Sequence, residues 1–388
     1  MKIVALNWRD LAHPLAGGAE IVIDRVLTGL ADRGHDVSLV CGGPVAPHDY
    51  EVVDAGGTYS QYLRVPWIGI RRFHHADLLI DSENGVPYFT PLWRRGASIC
   101  LVHHVHTDQW ATRFPRPVAF GARAIEQHLI PAVYRRRLFI AVSASTASAL
   151  DDIGVSPARI RVIESGVDVP SGPLASKSPE PLFVTLTRLV PHKRVDLLLE
   201  AWRMAQPVTG GRFVVMGAGP ELAALRNQAG SLPGAEVRGW VEDDEKDRLL
   251  AEAWFLVHGA HHEGWGMAIM EAAAVGTPAL VADAPGVRDS VVNGVTGVVV
   301  DVPENDVVQG LAREWIALAS DAGRRANLAN AARRRAEGYA WDRVIDKWVS
   351  VANEACAPLP RKIRDRTTTS KQPPQNAGTR AKSAINER

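Results

Sequence analysis

The chain repeats one unit along its length: a short apolar run without alternation, a polar loop, and then apolar residues at helical spacing. Residues 2–7 read as a buried strand, and the loop "WRDLAHPLAGGAE" follows. From about Ala19 to Arg33, Ile21, Val22, Val26, Leu27 and Leu30 fall on one helical face. Gly34 stops that helix, and "DVSLVCGG" is the next strand. Parallel strands need a crossover connection, so this order predicts a parallel sheet covered by helices. "ADLLIDSE", "SICLVHHVH" and "LFIAVSASTASAL" continue the series, and runs that do not alternate fit strands buried on both faces.

At residues 168–182, "DVPSGPLASKSPEPL", the composition turns to proline, serine and glycine, which marks a linker. The alternation restarts at "LFVTLTRL" and runs through "VDLLLEAWRMA", "GRFVVMGAG", "PELAALRNQAG", "DEKDRLLAEAW", "FLVHG", a helix opening at Met267, and "PALVAD". A chain of 388 residues is long for one core, and two α/β sandwiches joined by a hinge account for the length. Ligands in such sheets bind at the carboxyl ends of the strands, so two facing units make a cleft.

A formal net charge of +1 argues against a nucleic-acid binder. Cys41, Cys100 and Cys356 lie far apart and form neither a disulfide framework nor a CxxC metal site. The start "MKIVALNWRD" reaches a charged pair too early for a signal peptide, and no uncharged span of membrane length follows. A cytoplasmic protein is expected. From about Leu359 the chain is polar, basic and proline-bearing; it reads as disordered, a solvated tail in preference to a contact with anionic membrane.

Four loops at strand ends carry the composition of a polar site. In "HPLAGGAE", Gly17 and Gly18 precede a helix start, where backbone N–H groups favour an anion; the same pair also makes a good tight turn. "LVHHVHTDQW" supplies His103, His104 and His106. Its His-x-His spacing raises zinc, but only Asp108 stands near to complete a site, and an imidazole that hydrogen-bonds a substrate is the preferred reading. In "LTRLVPHKRVD", Arg188 and Lys193 flank a proline turn at a strand end, where a phosphate clamp competes with an ordinary surface cluster. In "HHEGWGMAIMEAAAVGTP", Gly264 and Gly266 let the backbone approach a ligand, Met267 starts a helix, and Gly276 with Pro278 ends it. Glu271 would suit the early turns of any helix; that reading leaves Glu263 and the two glycines unexplained.

With those residues in place, the chain resembles the retaining glycosyltransferases of family 4. "EGWGMAIME" is similar to their Glu-x7-Glu signature, and the resemblance runs to about residue 355 through "AGGAE", "VSASTASAL", "SGVDV", "TRLVPHKRVD", "MGAGPELAALR", "GTPALVADAPGVRDSVVNGVTGVVV" and "YAWDRVIDKWV". It implies an α/β protein of GT-B fold, with two Rossmann-like domains facing each other across a cleft. The boundaries drawn are 1–170 for an acceptor-side domain, 171–181 for the hinge and 182–340 for a nucleotide-sugar-binding domain. A closing helix over 341–357 would return to the first domain, and 358–388 is the tail.

The resemblance further implies that Glu263 contacts the transferred sugar and Glu271 the ribose hydroxyls. Arg188 and Lys193 would neutralise the diphosphate, helped by amides near Met267 and Ala268. Gly17 and Gly18 would let the first domain close on the same phosphates, and His103 or His104 would face the sugar and acceptor. The implied reaction retains the anomeric configuration, with an NDP-sugar as donor and no metal. Three positions depart from the family pattern: Thr187 and Arg194 stand where glycine is usual, and Glu164–Ser165–Gly166 replaces a Pro-Asn-Gly hinge.

The resemblance does not choose between glycolipid, polysaccharide and small-molecule acceptors. Residues 110–137 mix Trp110, Phe114 and Phe120 with Arg113, Arg116, Arg123 and Arg135 to Arg137. They could dock on an anionic membrane, but a helix packed on the sheet with a solvated basic face is preferred. Two other functions stay open. A nucleotide-sugar epimerase or a phosphorylase on this scaffold is one, and a non-catalytic sugar-nucleotide-binding partner subunit is the other. "GAGPEL" lacks a full GxGxxG, which leaves a nicotinamide dehydrogenase poorly supported.

Overall fold

Each of the two series of strands forms one parallel sheet. The computed structural model describes residues 1–14, 16–106, 110 and 114–357; Asp108, Arg113 and the tail from residue 358 lie outside the described residues. Residues 1–356 form one compact unit. The first sheet holds β1 (Lys2–Arg9), β2 (Asp36–Gly42), β3 (Glu51–Asp54), β4 (Leu78–Glu83), β5 (Ala97–Val102), β6 (Leu138–Ala141) and β7 (Ile160–Val162), in the order β3-β2-β1-β4-β5-β6-β7. The second holds β8 (Leu182–Leu186), β9 (Arg212–Met216), β10 (Ala235–Gly239), β11 (Phe255–His258), β12 (Ala279–Ala282) and β13 (Gly297–Val300), in the order β10-β9-β8-β11-β12-β13.

Both orders reverse direction once. The chain leaves β1 toward β2 and β3, then returns to place β4 on the other side of β1. It leaves β8 toward β9 and β10, then returns with β11. A crevice opens at the carboxyl edge where the order reverses, and ligands of open α/β sheets bind there.

Alternate residues of each strand feed opposite layers. In the first sheet Ile3, Ala5, Leu39 and Ile99 face α1 (Gly18–Asp32) and the C-terminal helix Trp341–Cys356. That helix packs so closely that a Cβ on Gly29 would lie 2.5 Å from Ile345, and Arg161 ties to Glu354 through Nε, 3.1 Å from Oε2. Val4, Leu6, Val40 and Leu79 face the opposite layer, where α2 (Gln61–Arg72) contributes Val65 and α3 (Thr90–Trp93) contributes Trp93.

Several elements escape the hydrophobic pattern. β3 is four residues long and partly exposed, and α2 carries Pro66 and turns many of its large apolar residues outward. β10, β13 and the helices Val307–Ser320 and Ala322–Glu337 complete the second half beyond the elements expected from the sequence. The strand expected across "SICLVHHVH" stops at Val102, because its neighbour β6 ends at Ala141, the residue paired with Val102. His103, His104 and His106 therefore stand in the loop beyond the strand.

Candidate active site

The loops after β8 and β11 meet at the second switch point. Glu263 follows β11, and its Oε1 accepts hydrogen bonds from Lys193 Nζ and from His258 Nε2, the latter at 3.0 Å. Burial opposes ionisation of Glu263, but the Lys193 ammonium and the His258 imidazole outweigh it and hold the carboxyl well below the usual range. The pair keeps 17% of the Glu263 side chain and 10% of the Lys193 side chain exposed, so it faces the crevice. His261 N donates to His192 O at 2.9 Å and binds the two loops together. Glu263 N donates to Pro285 O at 3.1 Å, and a Cβ on Gly286 (φ +81°) would lie 2.0 Å from Glu263 O. Only glycine fits under this backbone, because both the left-handed φ and the contact exclude a side chain.

Arg188, two residues past the end of β8, is exposed and makes no ion pair among the described residues. Arg194 has φ +51°, which explains why glycine is common there. Here the strain is offset by Nε, which donates to Gly259 O at 2.6 Å, and by Nη1, which donates to Glu304 Oε1 at 2.6 Å. Gly266 (φ +87°) caps the helix Met267–Ala274, whose first turn leaves the amides of Met267 and Ala268 without intrahelical acceptors. Glu271 lies one turn in; burial raises its pKa, while Lys246 pulls the other way.

The first switch point supplies the opposite wall. A Cβ on Gly17 would sit 3.5 Å from Arg188 Cδ, and one on Gly18 would sit 3.2 Å from Met267 Sδ. The Gly17 amide, expected to await an anion, donates instead to Glu20 Oε2 at 2.8 Å. A Cβ on Gly264 would lie 2.7 Å from His103 O, so that glycine allows the two halves to touch.

Burial separates the two histidines left open by the sequence. His103 is 8% exposed, with Nε2 3.3 Å from Ser82 Oγ, and burial with His106 nearby pushes its pKa down to about 4. His104 is half-buried, and its ring lies 5.3 Å from that of His262 in the other half and 3.9 Å from that of His106.

Behind these histidines lies a group that sequence reasoning missed. Glu83, His106 and Glu126 are all buried, and each brings one potential ligand atom within 4.8 Å of the others. Glu126 accepts from His106 N at 2.5 Å and from Trp110 Nε1 at 3.0 Å. Burial drives the Glu83 carboxyl well up, and the Glu126 charge adds to the effect. Two carboxyls and an imidazole have the chemistry to share a proton or hold a divalent cation. The sequence signal for Glu83 was its place at the end of β4, beside the switch point. Nothing local marked Glu126, nor His258, which closes the strand "FLVH" three positions before the loop that drew attention.

The chain matches the family descriptions Glycosyltransferase Family 4 over residues 16–170 and Glycosyl transferases group 1 over residues 171–335. It is 31% identical over 380 residues to a glycogen synthase of Mycobacterium tuberculosis, covering 86% of this chain and 90% of that protein. It is 29% identical over 264 residues to a D-inositol 3-phosphate glycosyltransferase of Salinispora tropica, covering 61% of this chain and 54% of that one. The chain thus spans about half the length of the first curated relatives it matches. Its fold is that of Anabaena HepE, solved in complex with UDP and glucose, at a TM-score of 0.74 and 19% identity over 91% of this chain and 100% of that one. With two parallel sheets, two switch points and both halves matched in order, the chain belongs to the group 1 and family 4 glycosyltransferases of GT-B fold.

Proposed function

We propose that the chain is a retaining glycosyltransferase that moves a hexose from a nucleoside diphosphate sugar to a hydroxyl acceptor. The observation that carries this reading is the Lys193–Glu263 pair at the β8/β11 switch point, with the exposed Arg188 guanidinium on the same edge. Sugar hydroxyls donate to Glu263, and ribose hydroxyls donate to Glu271. Arg188 and Lys193 take the diphosphate together with the free amides of Met267 and Ala268. Gly17, Gly18, Gly264 and Gly266 keep side chains out of the space between the halves. His104, turned toward the other half, faces the sugar and acceptor, and His103 supports it from behind.

In the transfer step the bond from the anomeric carbon to the diphosphate oxygen breaks, and its electron pair leaves with the diphosphate. The acceptor oxygen bonds the same face of the sugar, and its proton passes to the departing phosphate oxygen. Negative charge grows on the diphosphate as the bond opens, so fixed cations stabilise the transition state more than the ground state. In this reading Arg188 and Lys193 supply that charge without a metal, and the chain acts in the cytoplasm.

Calorimetric titration of UDP and of GDP into the wild type and Glu271→Ala tests the proposal. One nucleotide should bind, and the variant should bind it about tenfold or more weakly, the loss expected for a hydrogen bond to a charged group. Binding of neither nucleotide, or equal affinity in both proteins, would overturn the placement of the donor.

A further inference from the structure

We propose that the outer face of the α2–α3 layer docks this protein on an anionic lipid bilayer. α2 is built inside out at its surface. Val65 faces the sheet and Gly69 faces α3, while Leu63 is 84% exposed, Trp67 61% and Ile70 53%, and Tyr59 just before the helix is 81% exposed. Spacings of four, four and three residues put Tyr59, Leu63, Trp67 and Ile70 on one outward stripe. Leaving such side chains in water forgoes the gain of burying them, and a contiguous exposed stripe marks an interaction surface.

α3 adds further exposed apolar surface beside α2. α3 is pressed against α2, since a Cβ on Gly69 would lie 2.5 Å from the Trp93 ring, and Leu92 beside it is 69% exposed. Thr90 N donates to Tyr134 Oη at 3.2 Å, which ties α3 to the helical run that begins with Arg116–Ala124. There Phe120 is 75% exposed. Trp110 is buried, so of the aromatic residues first considered in this region Phe114 and Phe120 alone reach the surface.

Charge selects the occupant. Residues 55–76, 84–107 and 114–125 contain no aspartate or glutamate, yet they carry Arg64, Arg71, Arg95, Arg116 and Arg123, besides Arg72, which pairs with Glu51, and Arg94, whose guanidinium donates to the Phe73 and Ala76 carbonyls. Arg64 and Arg71 fall beside the apolar stripe on the α2 surface, and the Arg71 guanidinium lies 5.3 Å from the Trp67 ring centre. Large apolar and aromatic side chains fringed by arginine, with no acid among them, fit the headgroup boundary of an anionic membrane. No helix among the described residues is long and apolar enough to cross a membrane, so the contact is peripheral.

The layer also borders the crevice. Gln61 Nε2, at the start of α2, donates to Trp8 O at 3.1 Å, and Trp8 Nε1 donates to Thr58 O at 3.4 Å, which fixes Tyr59 and Leu63 next to the carboxyl end of β1. A bilayer held there would present a membrane-embedded hydroxyl acceptor to the first half; this last step rests on the transferase reading, whereas docking itself does not.

The test is co-sedimentation of the full chain with vesicles rich in phosphatidylglycerol or made of phosphatidylcholine alone. Three proteins are compared: wild type, Leu63→Glu/Trp67→Glu and Arg64→Glu/Arg71→Glu. Expected is wild-type binding to the anionic vesicles only, weakened by salt, and at least tenfold weaker in each double variant. Melting temperature and nucleotide titration of the same samples should match the wild type, because none of the four side chains is buried or lies in the crevice. Three results overturn the proposal: no binding to anionic vesicles, binding equal in all three proteins, or a wild-type dimer that Leu63→Glu/Trp67→Glu splits. The first assigns the face no lipid role, the second moves the contact to another basic segment, and the third makes a second copy the occupant. A failed nucleotide titration with intact vesicle binding would strike the transferase reading alone.

Discussion

At the edge of the C-terminal sheet, Lys193, Glu263 and His258 form a charged and hydrogen-bonded group, with Glu263 held ionised. At the edge of the N-terminal sheet, burial drives both Glu83 and His103 toward their neutral forms. The same switch-point topology thus builds two walls of opposite electrical character. A charged wall suits a diphosphate and a reacting centre that gains positive character. A wall in which the Glu83 carboxyl and the His103 imidazole are held neutral suits uncharged hydroxyls, to which such groups can both donate and accept. Topology places the crevice; burial decides what each side of it can hold.

The charged wall is where a single substitution should do most damage. Lys193→Met leaves Glu263 largely enclosed with only the His258 ring beside it, and removing one partner of an enclosed pair typically costs about 3–5 kcal/mol. Adding Glu263→Gln should restore most of that loss, since the uncompensated charge goes with it. Urea denaturation of wild type, both single variants and the double variant gives the coupling directly. A loss under about 1 kcal/mol in Lys193→Met would mean that water already solvates Glu263, and the contrast between the walls would shrink.

The neutral wall should reveal itself through acid. His103 has its pKa pushed down to about 4 from an ordinary 6.5, so the unfolded chain binds the proton more readily than the native protein. The resulting stability, about 3 kcal/mol, is fully present above pH 6.5 and is lost as pH falls through 4. Glu263 is also depressed, but its contribution is present above pH 4.5 and begins to fade only below that. The two walls therefore weaken in different windows. Unfolding free energies of wild type and His103→Gln between pH 7 and 4.5 separate them: the wild-type curve should slope and the variant's should be flatter. Parallel curves would assign the acid sensitivity elsewhere.

How much of this was legible depends on the range of the interaction. Buried parallel strands announce themselves as unbroken apolar runs, so the alternation and the hinge region could be read from local pattern. So could the loops that carry Arg188, Lys193 and Glu263, because their charges stand close in the chain beside a proline in the first and glycines in the second. α2 could not, since its apolar stripe faces outward and obeys no core. Glu83 ends a strand and Glu126 lies on a helical run far along the chain, and they acquire meaning only when folding buries them beside His106. His258 looked like the end of an apolar strand until its Nε2 met Glu263. Arg194 shows the reverse: a family glycine seemed to be missing, yet the left-handed φ survives because two hydrogen bonds hold the arginine there.

The smallest expected change in stability bears on whether the two walls serve one ligand. Gly286 in the C-terminal half is glycine because the fold requires it, with a backbone carbonyl 2.0 Å from the position of a Cβ. Gly17 in the N-terminal half has no such reason. Its φ of −158° is extended backbone that any residue adopts, and a Cβ would make ordinary contact at 3.5 Å from Arg188. Gly17→Ala should therefore change unfolding free energy by no more than about 0.5 kcal/mol. Nucleotide affinity should behave differently. If the diphosphate lies between Arg188 and this loop, the added methyl enters its space and binding weakens while melting stays fixed. A variant that melts like the wild type and binds like the wild type would leave the N-terminal wall out of donor recognition altogether. The neutral wall would then belong to the acceptor alone.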